Sequence, residues 1–256
     1  MSSAHNKFIS DEQAIPIVET GIFNGDPDAK LAVVRLEPED VLTGNDPIAH
    51  GYSQFRANVY IDQTGMLDPK HRRPDGGESD SDDIRSYHLA GVENLGNGLA
   101  AIIASMRLIR KTEEYPAVLP IEEFFEGELD DIAAGSGSFE VSRWIARARD
   151  SDRRTQLLTR LAVTNTGLAH AVRHNWGPCL AVVEPAVART INRSTGAAAR
   201  QIAPPRLVEK YNDTNMGIEV DLGMFARHVG QEALNSLYIT ESGVPNVFWR
   251  HSDEQR

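Results

Sequence analysis

At 256 residues, 41% hydrophobic and 25% charged, the chain can bury a sizeable core without disulfides or a structural metal. A formal net charge of -11 argues against general nucleic-acid binding, and the single cysteine, Cys179, excludes an internal disulfide and any cysteine-rich zinc site. No apolar run approaches the roughly 20 residues needed to cross a bilayer, and the start MSSAHNKFISDEQ lacks signal-peptide character, so a cytoplasmic protein is expected.

Residues 1–28 read as a polar, flexible N-terminal extension closing on NGDPDAK. KLAVVRLEP then gives a β-branched run stopped by Pro38, a strand by composition and length. From Ile48 to Gln63 the apolar residues Ile48, Tyr52, Phe55, Val59 and Tyr60 recur at helical spacing, with Asp46 as cap and Pro47 in the first turn. A long polar loop follows, MLDPKHRRPDGGESDSDD. YHLAGVE and LAAIIASMRLIR, joined by NLGNG, carry the signature of a hairpin whose glycines accept positive φ.

PIEEFFEGELDDIAA reads as a short acidic helix and GSGS as a flexible break. SFEVSRWIARA alternates as a strand, with Phe139, Val141 and Arg143 on one face and Glu140, Ser142 and Trp144 on the other. Charged residues in mid-strand are what a purely structural strand avoids. The helix DRRTQLLTRLAVTNTGLAHAVRHNWG, the buried strand PCLAVVEP, a second helix AVARTINRSTG and the strand IEVDL complete the body. MFARHVGQEALNSL begins a helical tail over 223–256. The order of elements describes an α/β protein with a mixed central sheet, its core domain spanning 29–222.

Arg56 and Tyr60 in RANVY, the spacing Glu78, Asp80, Asp83 in ESDSDD, Arg107 in MRLIR, and Glu140 with Arg143 in FEVSRW together resemble the signature of the acyl-homoserine-lactone (autoinducer, LuxI-type) synthases. The resemblance runs from about Lys30 to Leu222. It implies a GNAT-like three-layer fold, with a twisted mixed sheet whose two middle strands splay so that a pantetheine thioester inserts between them. Those strands would be the ones containing Glu140 and Cys179.

The implied chemistry is N-acylation by an acyl thioester on acyl carrier protein or coenzyme A. In this family the amine belongs to S-adenosylmethionine, whose carboxylate then displaces methylthioadenosine to close a lactone. Both are substrates, and no tightly bound cofactor is implied. Asp80, Asp83 and Glu78 would hold the cationic centres of the donor. Its carboxylate needs a cation, which Arg56 or Arg107 could supply; Arg143 could do the same or brace the acids. Glu140 is the candidate base for the attacking amine, with Arg143 and Asp80 beside it and Ser142 on the same strand.

Taken alone, four acids in a glycine-flanked loop describe a solvated surface, and Asp82 fits that reading. Arg147, Arg149, Arg153, Arg154 and Arg160 crowd the end of the Glu140 strand and the next helix. The glycine-rich phosphate loop of many GNAT enzymes is absent from RARDSDRR, which favours contact with an acidic carrier protein over tight cradling of coenzyme A. A solvated arginine face is the plainer account. His170 and His174 have the spacing of a zinc pair but no evident third ligand, so no metal is expected; Cys179 reads as core.

Two positions depart from the pattern. Met66 stands where the family usually carries the tryptophan that walls the donor pocket, and Tyr60 replaces a phenylalanine. Relatives with this fold acylate free amino acids, which makes a long-chain N-acyl amino acid synthase the alternative. A non-catalytic acyl-thioester-binding module is the reading from a different class.

Overall fold

The structure, a computed structural model, describes residues 15–24, 26, 28–133, 135, 137–147, 153–196, 198–208, 213–237 and 246–250. In chain order the elements are β1 (Ile17–Glu19), β2 (Ala29–Leu36), α1 (Pro38–Thr43), α2 (Pro47–Ala57), β3 (Ser86–Gly96), β4 (Leu99–Arg110), α3 (Pro120–Phe124) and α4 (Asp130–Ala133). They continue with β5 (Phe139–Ala146), α5 (Arg153–Arg173), β6 (Cys179–Val183), α6 (Pro185–Ser194), β7 (Ala199–Val208), β8 (Asp213–Val220), α7 (Leu222–Val229), α8 (Gln231–Leu237) and β9 (Asn246–Arg250).

Among the described residues the strands form one sheet in the order β7-β8-β6-β5-β4-β3-β2-β9. Neighbours are antiparallel except β5 and β6, which run parallel. One face packs on α5 and α7 through Leu89, Met106, Phe139, Cys179 and Phe225. The other packs on α2, where Tyr52 and Phe55 meet Ala90, Val92 and Ile102. Helices therefore cover both faces of a mixed sheet, the three-layer GNAT-like arrangement expected. No helix of the described residues is long and apolar enough to cross a membrane.

The two parallel strands touch only briefly. Phe139, Glu140 and Val141 pair with Cys179, Leu180 and Ala181, and pairing then stops although β5 continues to Ala146. The splayed middle of the sheet lies at the expected place. Against β4, β5 carries an irregularity: Arg107 pairs with Ser142 and Ser105 with Ile145, so Arg143 and Trp144 together face Met106. This bulge puts Arg143 at φ 50°, a left-handed conformation uncommon outside glycine. The Ser105 hydroxyl donates to the Arg143 carbonyl at 2.7 Å and holds it.

Several expectations are corrected. Part of the N-terminal extension belongs to the sheet, since β1 pairs with Leu99–Ala101 on the stretch of β4 that precedes its β5 pairing, and Phe23 is buried. The helix from Asp46, whose carboxylate accepts from Ile48 and Ala49 N–H, ends its α-helical part at Ala57 and continues as a π-helical turn over Asn58–Gln63. The acidic helix is two pieces, α3 and α4. The tail is not wholly helical: β9 pairs with β2, and Phe225 of α7 is fully buried. β7 went unforeseen, and the alternation of β5 breaks at the bulge.

Candidate active site

Three arginines and three carboxylates from four parts of the chain close into a ring. Arg56, in the last turn of α2, donates from Nε to Glu78 at 2.5 Å and from both Nη atoms to Asp83 at 2.9 and 3.1 Å. Arg107 of β4 donates to Asp83 at 2.8 Å and to Asp80 at 2.5 Å. Arg143 of β5 donates from Nη2 to Glu78 and to Asp80, each at 2.9 Å. The bulge makes this possible. Strict alternation would send Arg143 to the α5 face; instead Trp144 goes there and bonds Thr164 of α5 through its indole N–H at 2.9 Å.

The loop is fixed locally. Glu78 N–H donates to the Ser53 carbonyl of α2, and Arg73 reaches back to the Val41 and Leu42 carbonyls of α1. A Cβ at Gly77 would lie 2.9 Å from that of Ser53, so this close approach requires glycine. Asp83 also accepts from its own loop at Asp80 N–H.

Burial would raise the pKa of each carboxyl, but the guanidiniums outweigh it. Arg107 and Arg143 hold Asp80 down to about 2, Arg56 and Arg143 keep Glu78 lowered, and Arg56 and Arg107 hold Asp83 well below the carboxylate range. All six groups are therefore charged and mutually neutralised. Arg56, Glu78 and Asp83 have no solvent face, Arg107 has almost none, and the ring is open at Asp80, 20% exposed, and Arg143, 11% exposed.

Sequence reasoning missed the support beneath the ring. His88 Nε2 lies 2.9 Å from the Asp83 carbonyl, and its Nδ1 lies 3.3 Å from the Tyr52 hydroxyl. Burial pushes the His88 pKa down to about 4, so the ring is neutral at pH 7. A lone histidine in an apolar strand was the only signal.

A cavity of about 270 Å³ opens where β5 and β6 part. Glu140, Ser142 and Arg143 lie on its wall, as do Tyr60 and Met66, while Thr164, Leu168, Val183 and Ile191 extend it as an apolar pocket. Arg143 sits 5.2 Å from the Tyr60 ring. Ser142 Oγ accepts from Arg107 Nε at 2.9 Å. Glu140 is buried and accepts one hydrogen bond, from Ile121 N–H at 2.7 Å; burial dominates and raises its pKa to about 8.

At the end of β5, half-buried Arg147 and Arg160 come close enough that burial and Arg147's charge lower the Arg160 pKa, and Arg160 lies 5.4 Å from the Trp144 ring. Arg154 is exposed; Arg149 and the side chain of Arg153 lie outside the described residues. Asp82 pairs with Arg85 away from the ring. Cys179 is buried in the core, its thiol pKa pushed up by burial. Among the described residues no group of three or more His, Cys, Asp or Glu side chains is placed to hold a metal ion.

No protein-family model and no curated protein matches the chain. Solved structures do. The CoA-dependent acyl-homoserine lactone synthase BjaI, with SAM and isopentyl-CoA, aligns with TM-score 0.53 and 18% identity over 80% of this chain and 98% of that one. The AHL synthase LasI aligns with TM-score 0.56 and 14% identity, over 82% and 96% of the two chains. The fold is that of the acyl-homoserine lactone synthases. It is shared with FeeM, an N-acyl amino acid synthase from uncultured soil microbes, at TM-score 0.52 and 9% identity over 78% of this chain and 94% of that one.

Proposed function

We propose that the chain is an N-acyltransferase that moves an acyl group from a thioester onto the amine of S-adenosylmethionine and closes an acyl-homoserine lactone. The observation that carries this reading is the meeting of the charged ring with the cavity between splayed strands, through Arg143 and Ser142. The thioester arm lies between β5 and β6, and beyond the Val141–Ala181 pair the β5 edge facing β6 offers main-chain N–H groups to the oxyanion. The acyl chain fills the apolar part of the cavity.

The amine donor lies against Tyr60 and Met66, with Arg143 toward its carboxylate and Asp80 toward its cationic centre. Arg56, Glu78 and Asp83 have no solvent face and Arg107 almost none, and the four hold Arg143 and Asp80 in place. Glu140, once ionised, takes the amine proton. The nitrogen bonds to the thioester carbonyl carbon, and the C–S bond breaks to release thiolate. The donor carboxylate oxygen then displaces methylthioadenosine at the carbon next to sulfur, so no oxidant is needed. The cationic pair Arg147 and Arg160 at the end of β5, with exposed Arg154, suits a pantetheine phosphate or an acidic carrier protein.

Met66 favours a second reading, because a thioether replaces the aromatic wall that an adenine-bearing donor uses; a free amino acid would then be the acceptor. Incubation with acyl-CoA and, separately, with an acylated acyl carrier protein distinguishes the readings through released thiol. Thiol and methylthioadenosine together, only with S-adenosylmethionine, are expected. Release only with amino acids supports the second reading, and no release in any mixture supports a binding module. Asp80→Ala is expected to raise the donor KM by about ten-fold or more with the thioester KM little changed; an unchanged donor KM removes Asp80 from that role.

A further inference from the structure

A second cavity, of about 400 Å³, lies where the end of β2, the start of β3 and the end of β4 meet the last turns of α5. It shares no lining residue with the first cavity. Its wall is a stack of rings: Tyr87 lies on His170 at 3.9 Å, His170 is 4.2 Å from His174, and Trp176 meets His170 edge-on at 5.1 Å. Two guanidiniums lie on this stack. That of Arg110 sits 4.3 Å from the Trp176 ring, and that of Arg35 sits 5.2 Å from Tyr87.

The charges here do not balance at Arg110. Arg35 pairs with solvent-exposed Glu37 at 3.1 Å, and Arg85, also on the wall, pairs with Asp82 at 2.6 Å. The Arg110 guanidinium has no carboxylate partner among the described residues, and its Nε is covered from solvent without a hydrogen bond. Burial lowers its pKa, with no counter-charge to restore it. The neighbouring His170 is neutral, its pKa pushed down to about 3 by burial. Glu39, the remaining acid on the wall, is solvent-exposed. A half-buried cation with an aromatic face and no carboxylate against it among the described residues gives up hydration that the ring repays in part. The cavity is also far larger than the roughly 30 Å³ one water occupies in the liquid, and within the range of small-ligand sites.

We propose that this cavity binds a small molecule through a compact oxyanion, a carboxylate or a phosphate. Arg110 supplies the counter-charge in the planar, two-pronged geometry of a guanidinium, and Trp176 holds that plane in place. Arg35 adds a second positive edge. Because the site lies apart from the cavity between β5 and β6, it stands whether or not the chain transfers acyl groups.

The test is titration of the full-length, ¹⁵N-labelled chain with inorganic phosphate and, separately, with benzoate, ionic strength being held constant with chloride. The Trp176 indole N–H is expected to shift saturably with one or both anions while that of Trp144 stays in place. Saturation by phosphate alone marks a phosphate site, and by benzoate alone a carboxylate site; either supports the proposal. Arg110→Gln is expected to weaken binding by about ten-fold or more. Arg110→Lys keeps the cation, and with it the fold, but loses the fork, so a several-fold weakening is expected. Shifts that grow linearly as in chloride, or saturation that survives both substitutions unchanged, overturn the proposal.

Discussion

Glu140 is where burial and chemistry pull hardest against each other. A carboxyl whose pKa stands at about 8 is mostly protonated at pH 7, so a base at this position works better as pH rises. A rise in kcat/KM with an apparent pKa near 8, absent in Glu140→Gln, is the expected profile for the proposed reaction. The same shift enters stability with a definite sign. Between its unfolded value of 4.5 and about 8 the folded chain holds a proton that the unfolded chain releases, so this contribution is full below pH 4.5 and lost as pH rises through 8. His88 acts oppositely: its folded pKa lies below 6.5, so its contribution is full above pH 6.5 and lost as pH falls toward 4. The two oppose each other between 4.5 and 6.5, which leaves pH 6.5 to 8 as the clean window. There the unfolding free energy should fall by roughly 2 kcal/mol in the native chain and stay nearly flat in Glu140→Gln, as measured by urea unfolding. A flat native profile would show that Glu140 is ionised in the fold.

Among the elements, α5 packs directly onto β3 at Gly91. A Cβ at Gly91 of β3 would come within 2.7 Å of both Ala104 Cβ on β4 and Thr159 Cγ2 on α5. Gly91→Ala should therefore cost about 1–3 kcal/mol in urea unfolding by prising the helix away, and a change within experimental error would refute the close contact. Most of the elements between β2 and β8 could be read from the sequence, because α2, α5, β4 and β6 carry clear periodicity or apolar runs. β7 could not: Pro204 and Pro205 argue against a strand, and it exists at the sheet edge with two register shifts, where missing N–H donors are tolerated. β1 spans three residues, too few for a pattern. The run Val247, Phe248, Trp249 did carry a strand signal, outweighed by the helical stretch before it. The ring's members were legible one by one through their resemblance to a family signature. Their mutual pairing was not, because it depends on a bulge at Arg143 that no glycine marks.

At the scale of the whole molecule the ring is a tie between layers. Arg56 comes from the helical layer, Arg107 and Arg143 from two adjacent strands of the sheet, and the carboxylates from the loop that crosses between them. Removing one buried partner strands its counter-charges, and Arg56→Met is expected to cost about 3–5 kcal/mol because Glu78 and Asp83 lose a cation at once. Removing Asp83 as well should cost less than the sum of the single changes, since Arg107 keeps Asp80 and the second substitution relieves a charge the first left unpaired. The loss should also travel. Arg143 is held at positive φ within the bulge, with Glu78 and Asp80 as the partners of its guanidinium, so weakening Glu78 through Arg56→Met should speed amide exchange along β5 as well as in α2. Exchange that quickens in α2 alone would mean that the ring is a set of separate ion pairs, and that the geometry of the cavity wall is fixed by the β4–β5 pairing without it.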